Sequence, residues 1–145
     1  MAKNRIILIF GDPSSGKSYL ADELQSRYGY DVISLDESYL SFIKEQYPKL
    51  YLDSLNLVVS QHYGMVLTRL HKRGERDWIK YVVSLIKANR SPFIAVEGYL
   101  LSPILDEVQS RLSKKALVVA VYVHEQQYFS SSSIDEIHAR VLTLR

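Results

Sequence analysis

The chain has 145 residues, 47% hydrophobic and 23% charged, with a formal net charge of +2 and no cysteine. That length builds one domain with a real core but not two. The absent thiols exclude disulfides, thiolate metal sites and a cysteine nucleophile, and so small a charge argues against a broad nucleic-acid surface.

No segment approaches the roughly 18 apolar residues of a membrane span. The apolar run after Met1-Ala2-Lys3-Asn4-Arg5 is too short for a signal-peptide core. The expectation is a cytoplasmic protein without membrane partners. In chain order, Arg5 to Phe10 is a short apolar run before Gly11 and Pro13, which predicts a buried strand. Tyr19, Leu20, Leu24 and Tyr28 fall at helical spacing between Gly16 and Tyr28, and Gly29 is a natural stop. Asp31 to Leu35 predicts a second strand, and Glu37 to Gln46 a helix that Pro48 cannot continue.

Leu52 to Lys72 carries a wide apolar face that predicts a helix ended by Gly74, and Glu75 to Asn89 repeats the pattern as a separate helix. Phe93 to Val96 follows Ser91-Pro92 as strand three, closed by Glu97-Gly98. Ser102 and Pro103 suit the cap and first position of a helix running to Leu112. Ala116 to Val123 is the most strand-like run, and Ser133-Ile134-Asp135-Glu136 has capping-box spacing for a last helix. Strands alternating with helices predict a parallel sheet wrapped by helices.

Gly11-Asp12-Pro13-Ser14-Ser15-Gly16-Lys17-Ser18 fits the phosphate-loop pattern G-x-x-x-x-G-K-[ST] between a predicted strand and helix. Glycines let the main chain wrap closely, its N–H groups form an anion nest, and the helix N-terminus adds a positive dipole end. Lys17 can reach the β- and γ-phosphates of a nucleoside triphosphate, and Ser18 supplies a hydroxyl for Mg²⁺. Asp36 ends the second apolar run, at the strand edge where open α/β folds bind ligands. It can take a proton from a hydroxyl or hold Mg²⁺ through water, or it can cap the helix beginning at Glu37. Glu97 stands at the corresponding end of strand three, either to orient a magnesium shell or to pair with a surface cation. The basic run Arg69, Lys72, Arg73 and Arg76 is either a solvated helix end or a ligand contact.

Gly11 to Ser18, Asp36-Glu37-Ser38-Tyr39 and Val96-Glu97-Gly98-Tyr99-Leu100-Leu101 together resemble the P-loop kinases of small molecules. The likeness is greatest to the uridine kinase, phosphoribulokinase and pantothenate kinase branch. It implies a three-layer α/β/α P-loop NTPase fold of the nucleoside-kinase type over residues 1–145, with strand order 2-3-1-4; lack of the family's usual fifth strand is an expected departure of this chain. It also implies an acceptor-binding helical region at about 37–90 and a short lid, or a plain loop, at about 125–140. The implied activity is transfer of the γ-phosphoryl group of ATP, with Mg²⁺, to a hydroxyl of a nucleoside, sugar or cofactor precursor.

By that resemblance Gly11 to Ser18 and Tyr19 hold the nucleotide, and Ser18, Asp36 and Glu97 serve the metal. Lys17, Asp36 and Arg140 are catalytic, with Asp36 the base. Asp36, Tyr39, Arg69, Arg76 and Glu97 face the acceptor. The chain departs from the family in having no arginine between Leu112 and Ala139, where such kinases carry lid arginines, which leaves Arg140 and Arg145. The alternatives are a regulatory NTPase or a nucleotide-binding module with little kinase activity. Nucleic acid is not the expected partner.

Overall fold

A computed structural model of the chain describes residues 3–12, 15–48, 59–124 and 129–145, with residues 59–72 described by backbone only. Four strands, β1 (Arg5–Gly11), β2 (Asp31–Ser34), β3 (Phe93–Glu97) and β4 (Leu117–Val123), form one all-parallel sheet in the order β2-β3-β1-β4. The expected strand order is the observed one. Five α-helices accompany it among the described residues: α1 (Lys17–Tyr28), α2 (Leu35–Gln46), α3 (Val59–Ala88), α4 (Leu105–Leu112) and α5 (Ser131–Thr143).

Alternation along β1 explains the layering, because successive side chains point to opposite faces. Ile6 and Leu8 enter one apolar cluster with Tyr39 and Phe42 of α2, Trp78 and Val82 of α3, and Val108 of α4. Ile7 and Ile9 enter the other with Leu20 and Leu24 of α1 and Ile134 and Val141 of α5. Both faces are covered, which is why β1 reads as an unbroken apolar run.

Three local expectations are corrected. Gly74 does not divide two helices: α3 runs unbroken through it for 30 residues, about 45 Å. Gly74 is buried at the head of a stripe, spaced by four, that continues through Trp78, Val82 and Ile86. A mid-helix glycine costs about 1 kcal/mol, whereas each large apolar side chain buried on that stripe returns roughly 1.5–3 kcal/mol, so packing decides. The part of the expected helix over 52–58 lies outside the described residues.

Ser102 caps nothing. The chain winds directly after Gly98 into a 3-10 helix (Tyr99–Ile104) with Pro103 inside it, and α4 begins only at Leu105 with no side-chain cap. In the last helix the cap is Ser130, whose Oγ accepts from the Ser133 amide at 3.2 Å, so α5 starts one half-turn before the expected box.

Candidate functional site

Gly11 closes β1 at φ 145°, and a Cβ on it would lie 2.3 Å from the carbonyl oxygen of Val123 on β4. Only glycine lets the chain leave the sheet so tightly there. It then passes Asp12 and reaches Gly16, the left-handed residue before α1. Pro13 and Ser14 lie outside the described residues. Ser15 is 1% exposed.

Lys17 opens α1, yet its side chain turns back into the loop and is only 5% exposed. Its Nζ donates to the Gly11 carbonyl at 3.1 Å, to the Asp12 carbonyl and to Ser15 Oγ at 3.3 Å. An ammonium has three protons, and the loop's own oxygens take all three. Burial lowers the Lys17 pKa below its ordinary value, opposed by the negative fields of Asp36, Glu97 and Asp12.

Glu97 ends β3 in register with Ile9 of β1 and Ser34 of β2, and it is 6% exposed. Ser18 Oγ donates to its Oε2 at 3.4 Å. Burial raises the Glu97 pKa above the usual carboxylate range. A hydrogen bond from Ser34 lowers it, Asp36 adds to the rise, and Lys17 and Ser18 lower it. Sequence reading missed Ser34, because its role depends on strand pairing across more than sixty residues.

Asp36 sits in the first turn of α2, whose N-cap position is Ser34, so it does not cap that helix. It holds a different helix end: Tyr99 N donates to its Oδ2 at 3.4 Å and Leu100 N to its Oδ1 at 3.3 Å. Gly98, at φ 153°, makes that approach possible, since a Cβ there would stand 3.0 Å from Asp36 Oδ1. Two orphan amides of the 3-10 helix thus meet a carboxylate, as helix N-termini favour.

The carboxyl ends of β1 and β3, with the starts of α1 and α2, therefore gather Lys17, Ser18, Asp36 and Glu97 around a glycine-bounded loop. Other expected residues lie elsewhere. Tyr39 is sealed in the core at 0% exposure, edge-on to Trp78 with ring centroids 5.3 Å apart, so its ring packs and is not an acceptor surface. Tyr19 is 47% exposed on α1. Arg76 is exposed on α3, and the Arg69 side chain lies outside the described residues. Arg140 is exposed on α5 and borders a separate cavity of about 260 Å³ against Val119 and Val121 of β4. Residues 125–128 of the expected lid lie outside the described residues.

Hard oxygen donors at Ser18, Asp36 and Glu97 suit a magnesium ion, which takes one or two protein oxygens and completes its shell with water and substrate phosphates. Among the described residues no three carboxylate or imidazole groups converge as a protein-only metal cage, and magnesium held with phosphates requires none.

No protein-family model matches the chain, and no curated protein does. Among solved structures it is similar to the crystal structure of TT1252 from Thermus thermophilus, with a TM-score of 0.51 and 18% identity over 83% of this chain. The chain spans 66% of the length of that protein. At that identity the likeness concerns the fold alone: a layered α/β protein on an all-parallel sheet. Among the described residues no helix is long and apolar enough to cross a membrane.

Proposed function

We propose that this chain is a P-loop kinase that transfers the γ-phosphoryl group of ATP to a hydroxyl of a small molecule, with Mg²⁺ as cofactor. The observation that carries the reading is Lys17: a buried ammonium coiled inside the Gly11–Ser18 loop, facing the fields of Asp36, Glu97 and Asp12. A buried cation whose hydrogen-bond partners among the described residues are loop oxygens is poised to exchange them for phosphate oxygens, which bind it more strongly.

In this reading the amides of the loop and the start of α1 receive the β- and γ-phosphates. Lys17 leaves the Gly11 and Asp12 carbonyls to hold the charge that builds on the transferring group. Ser18 and Glu97, with Asp36 through a water, would hold Mg²⁺, which when bound would supply charge neutralisation on the phosphate oxygens. Asp36 takes the proton of the acceptor hydroxyl, whose oxygen bonds to the γ-phosphorus as the bond to the β-phosphate bridging oxygen breaks. ADP leaves. Catalysis then rests on positioning and preorganised charge, not on a covalent intermediate.

The test is phosphoryl transfer from γ-labelled ATP to a panel of nucleosides, sugars and pantothenate-like alcohols, with Lys17→Ala as control. We expect transfer by the native chain and a loss of about 10²-fold or more in the variant; equal rates would refute the assignment. One observation favours a second reading, a nucleotide-binding module without transfer: both Asp36 oxygens already accept main-chain amides, so the carboxylate has a structural duty. Calorimetric Mg-ATP binding with no transfer to any panel member would select it.

A further inference from the structure

The ends of the sheet differ in chemistry. At the amino end, opposite the Gly11–Ser18 loop, a cavity of about 560 Å³ opens beneath Asn4 and Ile6 of β1. The length of β1 sets it about 20 Å from the loop. Ile6, Ile86 and Leu112, each at most 2% exposed, lie beneath it, and half-buried Ala116 lines its wall. Its charged lining is of one sign: Lys87 from the last turn of α3, Arg90 just beyond that helix, and Lys115 just beyond α4.

Three like charges around one concavity repel one another, and ordinary structural duties do not account for them. Three arginines elsewhere are paired: Arg27 with Glu23 and Asp135, Arg73 with Asp77, Arg111 with Glu107. No ion pair among the described residues engages Lys87, Arg90 or Lys115. Nor do the helix ends require cations for capping, since main-chain amides already serve them: Asn89 N reaches Ile86 O at 3.1 Å, and Lys115 N and Ala116 N reach Leu112 O at 3.1 and 3.0 Å. The nearby carboxylate Asp31 accepts from Asn89 Nδ2 at 3.1 Å and Ser91 Oγ at 2.6 Å, and it does not line the cavity.

We infer that this cavity is a second ligand site, for a small organic anion that carries a phosphate or carboxylate group on an apolar body. The cations take the anionic group, and Ala116 with the aliphatic stems of Lys87, Arg90 and Lys115 takes the body. The volume lies within the range of small-molecule sites. The inference is independent of the kinase reading.

1-Naphthyl phosphate is the probe, titrated into the full chain and followed by amide chemical shifts, with the amides of residues 15–18 read separately so that any binding at the loop is distinguished. We expect saturable binding that moves the amides of Asn4, Asn89 and Ala116, weakened about tenfold or more in Lys87→Gln/Arg90→Gln/Lys115→Gln, whose three sites are exposed. Arg90→Gln alone, beyond the helix, gives a smaller weakening in the same direction. Inorganic phosphate and 1-naphthol each bind more weakly than the ester if both halves are recognised. Undiminished affinity in the triple variant, 1-naphthol or inorganic phosphate binding as tightly as the ester, or absence of saturation would each overturn the site.

Discussion

Glu97 and Lys17 are each withdrawn from water at the end of the sheet, and the protein bears a cost in stability for keeping them there. Burial raises the Glu97 pKa above the 4.5 of a free side chain. Between those two values the folded chain binds more protons than the unfolded one, so stability falls as pH rises through that window and stays lower above it. Glu97→Gln removes the ionisation while keeping an acceptor for Ser18. The expected outcome is a higher melting temperature than wild type at pH 7, an advantage that fades toward pH 4; under the proposed function phosphoryl transfer falls as well. Thermal unfolding at the two pH values measures it; a variant less stable at pH 7 than wild type would contradict the sign. Such a trade of stability for a charged site is common where chemistry is done. The Gly11–Ser18 loop was legible in the sequence because its residues are contiguous and each is needed locally. The partnership of Glu97 with Ser34, and of Asp36 with the amides after Gly98, was not, because those contacts exist only once β2 lies beside β3.

At the scale of elements, boundaries followed packing more than propensity. Gly74 looked like a stop, and a glycine in water would favour one, but it heads the stripe that buries Trp78 and Val82. The serines near residue 130 announced a helix start, but the capping-box spacing pointed to Ser133 whereas Ser130 serves it. One link was invisible beforehand: Arg5, at the start of β1, donates from one guanidinium nitrogen to the carbonyls of Val141 at 2.7 Å and Leu144 at 3.0 Å. It thereby satisfies carbonyls at the end of α5, where cations are favoured. Arg5→Ala should destabilise the chain by roughly 1.5–3 kcal/mol, the range for hydrogen bonds to a charged group. Amide exchange should rise first across 131–143; protection unchanged there, with loss spread evenly, would show that the tether is not specific to α5.

For the whole molecule, the alternation along β1 divides the core into two clusters, and Trp78 is among the largest side chains of one. It is 0% exposed, packs against Tyr39, Phe42 and Tyr81, and donates from Nε1 to the Leu100 carbonyl at 3.4 Å. Trp78→Ala should cost about 3–5 kcal/mol, read from urea unfolding. The loss should fall on α2, α3 and the 3-10 helix. The parallel sheet was legible from the alternation of elements, whereas its strand order was expected only through the family resemblance. The amino-end cavity was not, because Asn4, Arg90 and Lys115 are distant in sequence and meet only through the fold.

The order β2-β3-β1-β4 also leaves the sheet with two unlike borders. β2 begins at Asp31, a charged residue, whereas β4 reads Leu-Val-Val-Ala-Val-Tyr-Val with no charge, pairs among the described residues with β1, and exposes Tyr122 at 45%. An uncharged border strand that pairs on one side, among the described residues, is a template for strand addition between molecules. Warm, concentrated solutions should therefore cloud through β4 before the core opens. Tyr122→Lys should delay that turbidity severalfold with the melting temperature nearly unmoved, as light scattering and calorimetry on the same samples would record.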